Sequence, residues 1–294
     1  MKILVTGASG FIGSHLMKYL SRNNNVHGLS RSKKSQNIFQ ISLSDKQKLA
    51  RHMKKNKYDV VIHLAASLEE STPFDMFVKN CVSTANILEC CAETNVAKIV
   101  FSSSQLVYGK SVYLPIDEDH PKNPINNYAL SKLICEEICK MYHNTYDLSI
   151  QILRLSSVYG PGQSSKYIIP TMMIKSVNNK DIEIHRYKNG LQLMDFVHVR
   201  DVCKAISLAY KSKSKFGIYN IASGKPITAN DIADKISQVI RIRTTNAVID
   251  KEANHLFYDI SKAKRELDFT PSVQLDKKTL KEIHKNIVSK DDFL

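Results

Sequence analysis

No apolar run in the 294 residues approaches the ~20 that a membrane-crossing helix requires, so an integral membrane protein is not expected. The opening stretch, MKILVTGASG, lacks the apolar core and small-residue cleavage site of a secretory leader, and the expected compartment is the cytoplasm. The six cysteines (Cys81, Cys90, Cys91, Cys135, Cys139 and Cys203) contain no Cys-x-x-Cys pair and stand apart from any histidine cluster. That leaves neither a metal site nor a disulfide framework, and reduced thiols in helices and core are expected. Acidic residues are scarce, 28 against 42 Lys and Arg, giving a net charge of +14. A nucleic-acid binder would gather such an excess into one block. Here it is scattered, which predicts a solvated basic surface that draws in small anions and no nucleic-acid partner. Repeats, low-complexity segments and an obvious linker are also lacking. With 43% hydrophobic and 24% charged residues the chain is an ordinary globular one, long enough for a large α/β body with a smaller lobe.

What is present is alternation. Short β-rich runs at Lys2–Thr6, Val26–Ser30, Val60–Leu64, Lys98–Ser102 and Ile150–Leu155, with a weaker one at Asn37–Ile41, are separated by amphipathic stretches. The helical stretches are Phe11–Ser21, Lys46–Lys54, Pro73–Thr94 and Asn127–Tyr146. This order predicts βαβ units and a parallel sheet. After about residue 160 the alternation fades. Helices are expected at Lys166–Asn179, Arg200–Ser212, Ala229–Ile240 and Asp276–Val288, and strands at Ile182–Ile184 and Ile218–Ile221. The fold class is therefore α/β: a Rossmann-type doubly wound parallel sheet with a smaller C-terminal α/β substrate lobe. Residues 1–165, with 195–220 returning to the sheet, would form the dinucleotide-binding domain, and 166–194 with 221–294 the lobe.

The first strand runs into Gly7-Ala-Ser-Gly10-Phe-Ile-Gly13, which opens a helix. In that context Gly7 permits a tight turn, Gly10 lets a pyrophosphate approach the backbone, and Gly13 brings helix and sheet together. Exposed amides at the helix start favour negative charge. About twenty residues after the central glycine, NAD-binding chains place a carboxylate for the ribose 2′-hydroxyl. This chain has Ser30, Arg31, Ser32, Lys33 and Lys34 there. Hydroxyls and a guanidinium suit a 2′-phosphate, so the expected cofactor is NADP, with NAD possible.

Tyr128 and Lys132 stand four apart in a predicted helix, so their side chains share a face. A tyrosine phenol ordinarily titrates near ~10, and an adjacent ammonium would lower it towards a useful base. A predicted strand ends in Ser102-Ser103-Ser104 at the edge where parallel sheets collect ligands, and a serine there would hold a sugar or ketone oxygen beside the tyrosine.

These residues, together with His63-Leu-Ala-Ala66, Asn80, Ser83–Glu89, Phe101–Gly109, Arg154–Gly162, Asp195–Asp201 and Tyr219–Gly224, give the chain a resemblance. From Met1 to about Leu280 it resembles the extended short-chain dehydrogenases/reductases of the NAD-dependent epimerase/dehydratase group. The resemblance implies Ser104, Tyr128 and Lys132 as the catalytic triad. It implies cofactor contacts from Gly7, Gly10, Phe11, Ile12, Gly13, Ser30, Arg31, Ser32, Leu64, Ala65, Ala66, Asn80, Ser102, Tyr128, Lys132 and Ser156. A nucleotide-sugar substrate would meet Ser67, Ser103, Ser104, Gln105, Tyr128 and Ser157. A homodimer through the helices at Pro73–Thr94 and Asn127–Tyr146 is implied as well.

Departures from the family pattern narrow the chemistry. Gln105-Leu106 replaces the Asp-Glu pair that 4,6-dehydration uses as acid and base. Ser42, Ser157 and Met194 stand where Asp, Asn and Arg are common. The expected function is an NADP(H)-preferring reductase of a keto group on a nucleotide-linked sugar, favoured by the basic stretch at 30–34. A 4-epimerase with tightly held NAD, resembling UDP-glucose 4-epimerases, is the alternative favoured by the SSSQLVYG segment. A catalytically silent Rossmann module that senses redox state or binds nucleic acid is the third reading, opposed by the intact triad.

Overall fold

The computed structural model describes residues 1–32, 34–70 and 72–289. Among them the strands are β1 (Lys2–Thr6), β2 (Asn25–Ser30), β3 (Ile38–Gln40), β4 (Val60–His63), β5 (Lys98–Ser104), β6 (Ile150–Leu155), β7 (Ser157–Tyr159), β8 (Ile182–Tyr187), β9 (Phe196–His198), β10 (Phe216–Ile221) and β11 (Thr244–Ile249). The helices are α1 (Phe11–Leu20), α2 (Lys46–Asn56), α3 (Pro73–Phe77), α4 (Ser83–Glu93), α5 (Asn127–Tyr146), α6 (Ile168–Val177), α7 (Val199–Lys211), α8 (Ala229–Ser237), α9 (Ser261–Leu267) and α10 (Lys277–Val288).

Seven strands form one parallel sheet in the order β10-β6-β5-β4-β1-β2-β3. Strands such as IQILRL of β6 are buried along their whole length, because helices cover both faces. On one face Ile3, Val5, Val100 and Leu153 pack against Leu16 of α1 and Val202 and Ile206 of α7. On the other, Leu4, Val61, Ile99 and Ile152 meet Leu49 of α2, Ile87 and Leu88 of α4, and Cys135 and Cys139 of α5. The strand order turns back between β1 and β4, and at such a switch point the carboxyl ends of the strands leave a crevice for a ligand. All six cysteines are free and buried. No helix among the described residues is long and apolar enough to cross a membrane.

The smaller lobe has its own core, in which Ile169, Met172 and Met173 of α6 pack with Ile182 and Ile184 of β8, Ile232 and Ile236 of α8, and Leu280 and Ile283 of α10. β8 pairs with β11, and the short β7 with β9, in two separate parallel ribbons. Several elements depart from the sequence expectation, and two of these departures lie beside the site. The helix expected over Pro73–Thr94 is interrupted by a π-helical turn at Val78–Val82, and β5 runs two residues further than expected, to Ser104. Both departures shape the site.

Candidate active site

The turn after β1 explains its own glycines. Gly7 has φ +69°, and a Cβ there would stand 2.8 Å from the Ala65 nitrogen; at Gly13 a Cβ would fall 2.1 Å from the Gly7 carbonyl oxygen. Gly10 begins α1 with no side-chain cap, which leaves the first amides of the helix to an incoming anion. Behind the turn lies a buried chain of hydrogen bonds. Thr6 Oγ1 is 2.6 Å from His63 Nδ1 and accepts from the Ala65 amide at 3.1 Å; His63 Nε2 is 3.1 Å from Thr84 Oγ1, which donates to the Asn80 carbonyl at 2.7 Å. With the Thr84 proton on that carbonyl, His63 must donate through Nε2 and accept the Thr6 hydroxyl at Nδ1. Burial first, then the Lys132 charge, push its pKa down to about 3, so His63 is a neutral strut between β1, β4 and α4.

A cleft of about 480 Å³ opens over this turn, lined by Gly7, Ser9, Gly10, Ser30, Arg31, Ser32, Ser42, Ser44 and Leu64–Ser67, with Lys79 at its edge. At the end of β2 the Ser30 hydroxyl lies 2.8 Å from that of Ser9. Arg31 is exposed, and Lys33 lies outside the described residues.

The expected Tyr-Lys pair lies on α5. Asn126 caps the helix by accepting from the Ala129 amide at 2.8 Å, which fixes Tyr128 in its first turn. Tyr128, Lys132 and Glu136 follow at four-residue spacing on the face turned to β5. Ser104, at the end of β5, caps a short 3₁₀ turn (Gln105–Tyr108) by accepting from the Leu106 amide at 3.2 Å, and faces the Tyr128 phenol. Lys132 Nζ is buried, donates to the Ser102 carbonyl at 2.6 Å, and stands 5.9 Å from the centre of the Tyr128 ring. The expected lowering of the tyrosine by the ammonium is not what this state holds. Burial raises the Tyr128 phenol above its ordinary value, the nearby Tyr167 adds to this, and Ser104 opposes it. Burial in turn lowers the Lys132 pKa.

Some expected site residues are spent elsewhere. Ser103 is buried and donates to Glu136 at 2.5 Å, and Glu136 forms a two-pronged pair with Arg154 (3.0 and 2.7 Å). Asn80 is buried and holds the backbone of Ser67 through both amide atoms, at 2.7 and 3.0 Å. Ile12 packs against the core below the sheet, and Phe11 rests edge-on to His15. Ser156 is buried with its hydroxyl unpartnered. Gln105 donates to Ser157 at 3.1 Å.

A second cleft, of about 890 Å³, surrounds Tyr128 with Ala66–Glu70, Leu106, Asn126, Lys166 and Tyr167. It shares Ala66 and Ser67 with the cofactor-sized cleft. A third, of about 340 Å³, lies in the lobe between α6 and β8 and includes Met194, Lys175 and Gln192. Sequence reasoning missed Ser9, Glu69, Glu70, Lys166 and Tyr167, whose only signal was nearness to the glycine turn or to the ends of helices.

A glycine turn at the switch point of a parallel sheet, beside a Ser-Tyr-Lys set on the next strand and helix, defines a dinucleotide-dependent short-chain oxidoreductase. Residues 3–222 match the model of the NAD dependent epimerase/dehydratase family, and the chain belongs to that family of enzymes. It is 36% identical over 295 residues to a putative UDP-glucose 4-epimerase of Methanocaldococcus jannaschii, covering 93% of this chain and 94% of that one. Among solved structures it resembles the UDP-N-acetylglucosamine 4-epimerase of Methanobrevibacter ruminantium M1, in complex with UDP-N-acetylmuramic acid (29% identity, TM-score 0.87, 98% of both chains). The UDP-glucuronic acid 4-epimerase of Bacillus cereus, in complex with NAD, is also similar (26% identity, TM-score 0.84, 98% of this chain and 99% of that).

These relatives overturn the expectation of an NADP-preferring ketoreductase, since the two solved ones are 4-epimerases and the cofactor in the Bacillus cereus enzyme, as in other similar structures, is NAD. The physical reason is visible at the end of β2. The missing carboxylate is replaced by the paired hydroxyls of Ser9 and Ser30, which suit a neutral ribose hydroxyl; absence of a carboxylate does not imply a phosphate.

Proposed function

We propose that the chain is a nucleotide-sugar 4-epimerase that uses NAD and acts on a UDP-hexose. The observation that carries this reading is the run of clefts from the glycine turn past Tyr128 into the lobe, each sharing lining residues with the next, in a chain that has UDP-sugar 4-epimerases among its relatives. The residues present fit the cofactor. The uncapped start of α1 suits a pyrophosphate, Ser9 and Ser30 suit the adenosine ribose, and Leu64–Ala66 lead from there to the sugar cleft. Bound NAD supplies a hydride acceptor that returns the hydride to the sugar.

The chain's own residues handle the proton. Tyr128 takes it from the 4-hydroxyl as that carbon is oxidised and gives it back on reduction. Ser104 orients the sugar oxygen and steadies the phenolate; Lys132 contributes the positive charge that favours it. Gln105 and Ser157, bonded to each other, would face the sugar, and Gln105-Leu106 offers no acid–base pair for dehydration. Residues 166–194 and 221–294 would form the substrate lobe. Exposed Phe74, Phe77, Val82, Leu130 and Met141 around α3 and α5 support pairing with a second copy, which a light-scattering mass of a single chain would refute.

The test is to incubate the purified protein with UDP-galactose and with UDP-N-acetylgalactosamine and follow the 4-epimers by chromatography. Turnover without added cofactor, with NAD released on denaturation, is expected. Tyr128→Phe should keep the cofactor and the fold while kcat falls by ~10²–10⁴. A Tyr128→Phe protein retaining a tenth of the activity, or a wild type inactive on both sugars, would sink the assignment.

A further inference from the structure

Among the described residues, Lys166 alone lines both the cleft around Tyr128 and the cleft in the lobe. Its Nζ lies 2.9 and 3.0 Å from the two carboxylate oxygens of Glu69, which comes from the segment after β4, ninety-seven residues away. Both side chains are about three-quarters exposed, so the pair spans the mouth of the cleft through solvent rather than through the core.

Resting on the reading of this site as a nucleotide-sugar site, we propose that Lys166 holds the diphosphate of the substrate, and that Glu69 is the counter-ion it releases when the substrate enters. Position is the first argument. A sugar whose C4 reaches Tyr128 and whose nucleoside lies in the lobe must pass its diphosphate through the junction of the two clefts, where Lys166 stands. Charge is the second. The lobe wall presents Met194, whose thioether carries no charge, with its backbone tied to Ile227. His185 on the same wall is bonded to Glu183 at 2.9 Å. Lys166 and, one turn or more into α6, Lys175 are the lysines that line this cleft. Ease of exchange is the third. An exposed lysine–carboxylate pair is held weakly, and a doubly charged diphosphate replaces one carboxylate with stronger charge-assisted hydrogen bonds. Glu69 thus keeps the ammonium at the junction and sets a threshold against weakly charged ligands.

The experiment titrates UDP calorimetrically into the NAD-containing protein, at low and at raised salt, for wild type and three variants. Lys166→Met should weaken UDP binding about tenfold and flatten its salt dependence, because one cation–phosphate contact is gone. Lys166→Arg should restore most of the affinity. Glu69→Gln should tighten UDP severalfold at low salt by removing the competing carboxylate. If Lys166→Met binds UDP within twofold of the wild type, or if Lys166→Arg is as weak as Lys166→Met, the diphosphate role is overturned while the epimerase reading stands. Weaker UDP binding by Glu69→Gln would overturn the counter-ion role. A wild type that binds no UDP would overturn both this inference and the function on which it rests.

Discussion

The two ends of the run of clefts are built from different materials. Over β1 and β2 the wall is mostly backbone and short side chains: Gly7 and Gly10, the hydroxyls of Ser9, Ser30 and Ser42, and the turn at Leu64–Ala66, with Arg31 and Lys79 the long ones, beside the ends of largely buried strands. In the lobe it is long side chains on α6, on β8 and on the segments beside them: Lys166, Met172, Lys175, His185, Tyr187 and Gln192. A wall of backbone admits few changes, because each atom is fixed by the sheet behind it. A wall of extended side chains can be recut one residue at a time. On the proposed function, cofactor recognition lies in the fold and substrate choice in individual residues, a contrast that can be tested from both sides.

The largest effect should come from crowding the backbone wall. A methyl at position 13 would lie 2.1 Å from the Gly7 carbonyl, whereas at position 10 the nearest contact is that same oxygen at 3.3 Å. Gly13→Ala should therefore cost ~1–3 kcal/mol of stability and lose the copurifying cofactor, with Gly10→Ala much the milder of the two in urea unfolding. Equal unfolding midpoints for the two variants would show that the turn is softer than its packing suggests.

A middle-sized effect concerns pH. His63 titrates at about 3 when folded and near 6.5 when unfolded, so the unfolded chain takes up the extra proton between those values. The stability that neutral His63 contributes is complete above pH ~6.5 and is lost as pH falls, amounting to about 2 kcal/mol at pH 5. His63→Asn should remove that part of the slope, seen as a smaller fall in unfolding free energy between pH 7 and pH 5 than in the wild type. The smallest effect belongs to the lobe. Met194→Arg should tighten UDP binding up to about tenfold without moving the melting temperature, since it adds a charge-assisted contact to a wall that tolerates change. No change in calorimetric affinity would mean that this position does not meet the diphosphate.

The same contrast governs what could be read in advance. β1 and β6 were legible to the residue, because strands covered on both faces read as largely apolar runs. The three-residue β7 and β9, the mostly exposed β11 and the seven-residue α9 were not, being too short or too polar for a period to emerge. Tyr128 and Lys132 were legible as a pair through helical spacing. The destination of Ser103 was not: three serines in a row do not reveal which one faces Glu136, 33 residues further along the chain. Nor does a serine-arginine stretch show that Ser30 is within hydrogen-bond reach of Ser9, a contact that only the sheet creates. The misreading of the cofactor came from there.

The buried pair of Arg154 and Glu136 has a mechanical meaning. Arg154 lies on the buried strand β6, donates to the Tyr108 hydroxyl at 3.0 Å and to the Glu118 carbonyl at 2.9 Å, and grips Glu136 two turns beyond Tyr128 on α5. One guanidinium thus bolts the helix to the sheet and also fastens the loop leading towards it. Such a bolt blocks both rotation and sliding of α5, so the phenol keeps its height above the end of β5 whatever happens at the far side of the molecule. A change of side chains in the lobe therefore leaves the Tyr128 phenol standing at the same height.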